Sequence, residues 1–212
     1  MTTIGFIGAG NIGQAVARAA VNHGYDVVLS NSRGPETLGD VVAGLGEHAQ
    51  ADTAEGAAKR GDLVVVTIPL KAYRDVPVEP LAGKVVVDTN NYYPQRDGQV
   101  SELDDHSTTS SALLQEHLPT SHVVKAFNHI EAAKIIDEAQ PDGTPGRRAL
   151  VVAADDEDAK ATVRGFVHEI GFDVVDAGSL ADSWRIEPGT PGYGPRLDVE
   201  EMHEALDAAT RG

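Results

Sequence analysis

The residues best suited to chemistry by type and spacing are Gly8-Ala9-Gly10-Asn11-Ile12-Gly13. They follow a β-forming run, Thr3 to Ile7, and open an alanine-rich amphipathic stretch, the setting in which G-x-G-x-x-G holds the pyrophosphate of a dinucleotide. Each glycine has its own task there: Gly8 makes the tight turn, Gly10 lets the pyrophosphate approach the backbone, and Gly13 lets the helix pack against the strand. Asn11 and Ile12 lie at the helix N-terminus, where unpaired N–H groups and the positive end of the helix dipole attract phosphate.

The end of the second strand, about 20 residues on, selects the nucleotide. NAD-binding folds commonly place Asp or Glu there to hold the ribose hydroxyls. This chain reads Asn31-Ser32-Arg33. A carboxylate would repel a 2′-phosphate, whereas a guanidinium and a hydroxyl bind one through charge-assisted hydrogen bonds. The expected cofactor is therefore NADP(H) rather than NAD.

Three further strand ends border the same crevice, because ligands of open α/β sheets sit outside the carboxyl ends of the strands. In Thr67-Ile68-Pro69-Leu70, Pro69 stops further pairing and the turn can cover the nicotinamide-side ribose. Asp88-Thr89-Asn90-Asn91 offers uncharged amides, with Asp88 read as a turn-capping side chain. Ala126-Phe127-Asn128-His129 is the third, preceded by Lys125, which reads as structural or phosphate-directed.

A catalytic apparatus is not evident. The chain has no cysteine, no G-x-S-x-G and no H-E-x-x-H, and its eight histidines are scattered, with His117 and His122 reading as solvated. Tyr92-Tyr93 lacks a lysine at the offset of a Tyr-x-x-x-Lys pair. No metal site and no acid–base pair are expected. That absence suits direct hydride transfer between two redox cofactors, which depends on proximity and orientation more than on proton donors.

The elements that must position these residues alternate along the chain. Strands are expected at Thr3–Ile7, Asp26–Ser30, Leu63–Thr67, Lys84–Asp88, His122–Ala126, Arg148–Ala153 and Asp173–Ala177, several of them unbroken Val/Ile/Leu runs that need cover on both faces. Helices are expected at Gly10–Asn22, Pro35–Leu45, Thr53–Arg60, Ser110–Leu118, Asp155–Ile170 and Val199–Thr210. The pattern predicts an α/β fold, a Rossmann-type doubly wound parallel sheet with a small C-terminal α/β lobe. Residues 1–130 would form the NADP-binding domain, and residues 131–212 a lobe completing the second-cofactor cleft. Loops are expected at Thr89–Ser110, Gln140–Gly146 and Glu187–Pro195. The last, preceded by Trp184, reads either as a rigid wall over a second cofactor or as a surface crossing that covers the sheet edge.

Composition sets the outer limits. The 212 residues carry 33 acidic and 17 basic side chains, a net charge of −16, which disfavours nucleic acid and anionic membranes as partners. No run is long enough for a membrane span, and the expected setting is cytoplasmic. Because the inferred ligands are anions, a local positive patch is expected at Arg33 and the first helix N-terminus, with Lys71, Arg74 and Lys125 as further candidates.

GAGNIG at 8–13, Ser32-Arg33, VVTIPL at 65–70, VKAFN-x-I at 124–130, Asp176-Ala177-Gly178-x-Leu180 and Thr190-Pro191 together resemble the coenzyme F420-dependent NADP reductases. The resemblance runs over essentially the whole chain. It implies a Rossmann domain with a small C-terminal lobe, often dimeric, and small-molecule redox cofactors as partners: a deazaflavin, coenzyme F420, lying against the nicotinamide. Carried onto this sequence, Ser32 and Arg33 would hold the 2′-phosphate, Ile68, Pro69 and Ala126 would border the nicotinamide, and Asn128, Ile130 and Pro191 the deazaflavin. Two positions depart from the archaeal pattern: Asn128 replaces a histidine and Thr37 a lysine. Two other functions fit the residues: an NADPH-dependent reductase of a flavin or other small acceptor, and a non-catalytic NADP-binding sensor.

Overall fold

Val64, Val65 and Val66 are all wholly buried, so this strand is covered on both faces, as its unbroken apolar run requires. The computed structural model describes residues 2–211. Its first half runs β1 (Thr3–Ile7), α1 (Asn11–Asn22), β2 (Asp26–Ser30), α2 (Gly39–Leu45), β3 (Ala49–Ala51), α3 (Ala54–Arg60), β4 (Leu63–Val66) and β5 (Val85–Asp88). There follow α4 (Pro94–Asp97), α5 (Ser101–Asp104), α6 (Ser110–His117), β6 (His122–Lys125), α7 (Lys134–Asp137), β7 (Ala149–Ala154), α8 (Glu157–Glu169), β8 (Asp173–Asp176) and α9 (Val199–Asp207).

The strands form one eight-stranded sheet in the order β3-β2-β1-β4-β5-β6-β7-β8. Every neighbouring pair is parallel except β6 and β7, which run in opposite directions. Alternate strand residues feed the two faces: Ile4, Phe6 and Val65 pack with Val16, Val163 and Phe166 of α1 and α8, while Ile7, Val64 and Val66 pack with Ala58 and Leu114 of α3 and α6. Strand order reverses between β1 and β4, the switch point at which a doubly wound sheet opens a crevice. The strands after Ile130 extend this same sheet rather than starting another. No described helix is long and apolar enough to cross a membrane.

Several elements differ locally from expectation. Pro35–Leu45 is a tight 3-10 turn over Pro35–Leu38 followed by α2, with Leu38 driven into the core between them. The Thr89–Ser110 segment contains the single turns α4 and α5. The three-residue β3 pairs with β2 although it lacks any β-branched residue. Thr53 caps α3 as its position suggests, its side chain accepting from the Gly56 N–H at 3.0 Å.

Candidate functional site

The glycine turn divides its work as the spacing predicts. Gly8 has a φ of 108°, and a Cβ there would overlap the Thr67 carbonyl. A Cβ on Gly13 would lie 2.5 Å from the Gly8 oxygen and 2.7 Å from Thr67 Oγ1. These two glycines let α1 seat directly against β1 and the end of β4. Gly10 is different, since a Cβ on it would meet nothing within 4 Å. Gly10 also caps α1 without a side chain, leaving the N–H groups of the first turn free to bind an anion.

Open space continues from Gly10 and Ile12 into a cavity of about 470 Å³ over the carboxyl ends of β4, β5 and β6. That volume suits a small ligand or the reactive end of a larger one. Thr67, Ile68 and Pro69 form one side, its turn held by a Thr67 Oγ1 bond to the Gly8 carbonyl at 3.1 Å.

On the adjoining rim, the loop after β2 is folded ahead of any ligand. Asn31 Nδ2 donates to Thr37 Oγ1 at 2.9 Å, Thr37 Oγ1 donates to the Gly34 carbonyl at 2.8 Å, and Asn31 Oδ1 accepts the Arg33 N–H at 2.9 Å. Ser32 and Arg33 are exposed, and no described residue engages the Arg33 guanidinium. Thr37, standing where a lysine was expected, pins the loop instead of adding a cation.

The floor is a buried polar network. Lys125 Nζ lies 3.2 Å from Asp88 Oδ2, donates to Ser110 Oγ at 3.0 Å, and also donates to the Asn90 carbonyl. Asp88 further accepts from Ser111 Oγ at 2.6 Å and from the Asn90 N–H at 2.9 Å, so it caps the turn and anchors α6 together. Lys125 is wholly buried and belongs to the scaffold, which removes it from the positive patch. Asn90 lines the cleft, yet neither Nδ2 nor Oδ1 of its amide has a partner.

Phe127 turns the chain across this floor with a φ of 60°, an uncommon conformation held by its buried ring, which meets Phe166 edge-on at 6.1 Å. Ala126, expected beside the nicotinamide, is buried beneath the surface because it still completes the strand end. Asn128 borders the cavity, but its Nδ2 donates to Asn91 Oδ1 at 3.0 Å and to the Ile186 carbonyl at 2.7 Å. Ile130 adds apolar lining. His129 Nε2 accepts the Val151 N–H at 3.0 Å while Nδ1 faces Asn128 Oδ1 at 3.2 Å, which assigns the proton to Nδ1. Burial, with the nearby Arg148 and Lys125 charges, pushes its pKa down to about 3, so the ring is a neutral strut.

The far wall comes from residues 187–195, through Tyr193 and Gly194. A turn in which the Tyr193 N–H reaches the Thr190 carbonyl at 3.1 Å swings Tyr193 inward. Pro191 is left exposed outside the cavity lining, a correction to its expected place against the second cofactor. Buried Arg148 secures this wall, donating to the Pro195 carbonyl at 3.2 Å and the Gly194 carbonyl at 3.3 Å while pairing with Glu138 at 2.6 Å.

Comparison with known proteins agrees with this geometry. A hypothetical protein from Sinorhizobium meliloti superposes with a TM-score of 0.79 at 32% identity, over 93% of this chain and 95% of that one. Residues 3–92 match the family described as NADP oxidoreductase, coenzyme F420-dependent. The match covers the first five strands and the glycine turn, the part of the chain that forms the nucleotide side of the cleft. An Arthrobacter protein provisionally named an F420-dependent NADP-reductase shares the fold, with a TM-score of 0.74 at 23% identity over 86% of this chain and 87% of its own. Metalloreductase STEAP3 from Rattus norvegicus is 29% identical over 186 residues, 87% of this chain and 35% of its own length. The chain spans between about a third and a half of the length of the curated relatives it matches.

Within this site the sequence pointed to the glycine turn, the Asn31–Arg33 loop and the Thr67–Pro69 turn, each a contiguous segment at a strand end. It offered the 187–195 loop, Tyr193 within it, as one of two readings of that segment, and it missed Tyr93 and Arg96. Arg96 donates to Asp97 through Nε at 2.9 Å and Nη2 at 2.8 Å, and lies 4.9 Å from the Tyr93 ring centroid. Tyr93 and Tyr193 meet hydroxyl to hydroxyl at 2.5 Å. The only sequence signal for this grouping is the run of glycine and proline at 188–194 with Tyr193 within it, which does not name a partner.

Proposed function

We propose that this protein exchanges hydride directly between NADP(H) and coenzyme F420, as the family match over residues 3–92 suggests. One observation supports the nucleotide half above all: the open space over Gly10 at an uncapped helix N-terminus, with the unengaged Arg33 on the next strand end. The first suits a pyrophosphate, the second a 2′-phosphate. When bound, the nicotinamide ring supplies or accepts the hydride. The chain's part is to orient and to exclude water: Ile68, Pro69 and Ile130 present apolar surface, and the unpartnered amide of Asn90 is suited to a carboxamide or a lactam edge.

A second reading keeps the NADPH half and replaces F420 by a flavin or other small acceptor. It is favoured by Asn128, whose amide is consumed within the protein, and by Pro191, which lies outside the cavity lining. The test is to mix the purified protein with NADPH and, in turn, oxidised F420, FMN and FAD, following the bleaching of each chromophore. Bleaching of F420 alone supports the first reading and of a flavin alone the second. Tight NADPH binding without turnover would identify a non-catalytic NADP-binding sensor.

A further inference from the structure

We propose that Tyr93 and Tyr193 form a two-phenol proton donor that completes the reduction begun by hydride transfer in this cleft. The inference rests on the hydride-transfer reading above and adds the group that balances it. Hydride carries two electrons and one hydrogen to the acceptor ring, and a neutral flavin or deazaflavin then takes one proton on a conjugated ring nitrogen. Glu131 lines the cavity as an exposed carboxylate at its rim, and the other acids and the histidine near the strand ends are already engaged. Asp88 is locked to Lys125, Asp97 is chelated by Arg96, and His129 is neutral with its one N–H facing Asn128.

The 2.5 Å contact between the phenols consumes one of their two O–H groups, whichever oxygen donates. The other bond at the pair is a long one from Asn91 Nδ2 to Tyr193 Oη at 3.4 Å, in which Tyr193 accepts. One phenolic O–H therefore remains for a ligand, on residues that both line the cavity. The second phenol is then placed to replenish it. Arg96 stacks on Tyr93 and stabilises negative charge developing there during transfer.

The free phenol's O–H bond breaks as an N–H bond forms on the acceptor ring, the neighbouring phenol returns a proton to the resulting phenolate, and water restores the second phenol. The sum is NADPH, oxidised acceptor and one proton giving NADP+ and reduced acceptor.

The experiment compares the intact protein with Tyr93→Phe, Tyr193→Phe and the double variant, using NADPH with F420 and, in parallel, FMN. The double variant should lose about 100-fold or more in kcat, the lower end for general acid catalysis, with KM for both substrates and the affinity for NADPH unchanged. The intact protein should turn over more slowly in D2O, and the single variants should each lose part of kcat at unchanged KM. The single variants carry the test if the double variant does not fold. Unchanged kcat in all variants, a loss confined to KM, or equal rates of the intact protein in H2O and D2O would each overturn the proton donor. Failure of the intact protein to reduce either acceptor overturns the hydride-transfer reading itself, and the donor with it.

Discussion

Lys125 and Asp88 face each other 3.2 Å apart at the ends of adjacent parallel strands, and neither side chain touches solvent. The pair is tolerable only because Ser110, Ser111 and the Asn90 backbone satisfy the remaining hydrogen-bond capacity. Lys125→Met leaves a buried carboxylate without its cation and should cost about 3–5 kcal/mol in urea unfolding. Adding Asp88→Asn should recover part of that loss; no recovery would mean that packing, not charge, sets the cost.

Gly10 and Gly13 should respond oppositely to the same substitution. Gly10→Ala meets open space at a φ of −77°, so thermal stability should shift by no more than about 1 kcal/mol while NADPH binding falls. Gly13→Ala collides with the Gly8 carbonyl and Thr67 and should lower stability before any ligand is added. Isothermal titration and a melting curve on each variant separate the two effects.

Arg33 should set the choice between phosphorylated and unphosphorylated nucleotide. Arg33→Ala should weaken NADPH binding about ten- to a hundred-fold, the range for a charged hydrogen bond, and leave NADH binding nearly as it was. Equal losses for the two would assign Arg33 to the loop rather than to the phosphate. Moderate salt should weaken NADPH binding to the unaltered protein by screening this exposed cation.

His129 makes folding stability depend on pH. Its pKa falls from 6.5 to about 3 in the folded chain, so below pH 6.5 the unfolded state takes up a proton that the folded state refuses. The sign follows: stability from this group is present above pH 6.5 and is lost at up to about 1.4 kcal/mol per pH unit as the pH falls toward 3. Urea midpoints from pH 7 to pH 4 should show a shallower slope for His129→Asn than for the unaltered protein. Parallel slopes would contradict it.

How far the molecule was legible in its sequence can be judged from particular residues. Gly8, Gly13 and Val64–Val66 declare their surroundings, because a glycine turn after a strand and an unbroken apolar run each have few structural solutions. Ala49–Ala51 becomes a strand only because the edge of β2 offers partners, a fact absent from the three residues themselves. Lys125 reads as either structural or phosphate-directed until tertiary folding supplies Asp88 from 37 residues away and decides for the scaffold. Tyr93 and Tyr193 are separated by 100 positions, beyond any local pattern. Residue types announced the nucleotide half; closure of the chain on itself created the other.

The reversal of direction at β7 brings the beginning of that strand to the same rim as the ends of β4, β5 and β6, and with it the returning Tyr193 loop held by Arg148. The cleft is consequently a seam between early and late portions of the polypeptide. During synthesis the phosphate-binding turn emerges and can fold well before Tyr193 leaves the ribosome, so nucleotide affinity should precede catalytic competence in the life of each molecule. On the proposed hydride-transfer function, the same seam would let drift in the late loop change the acceptor without disturbing the nucleotide grip.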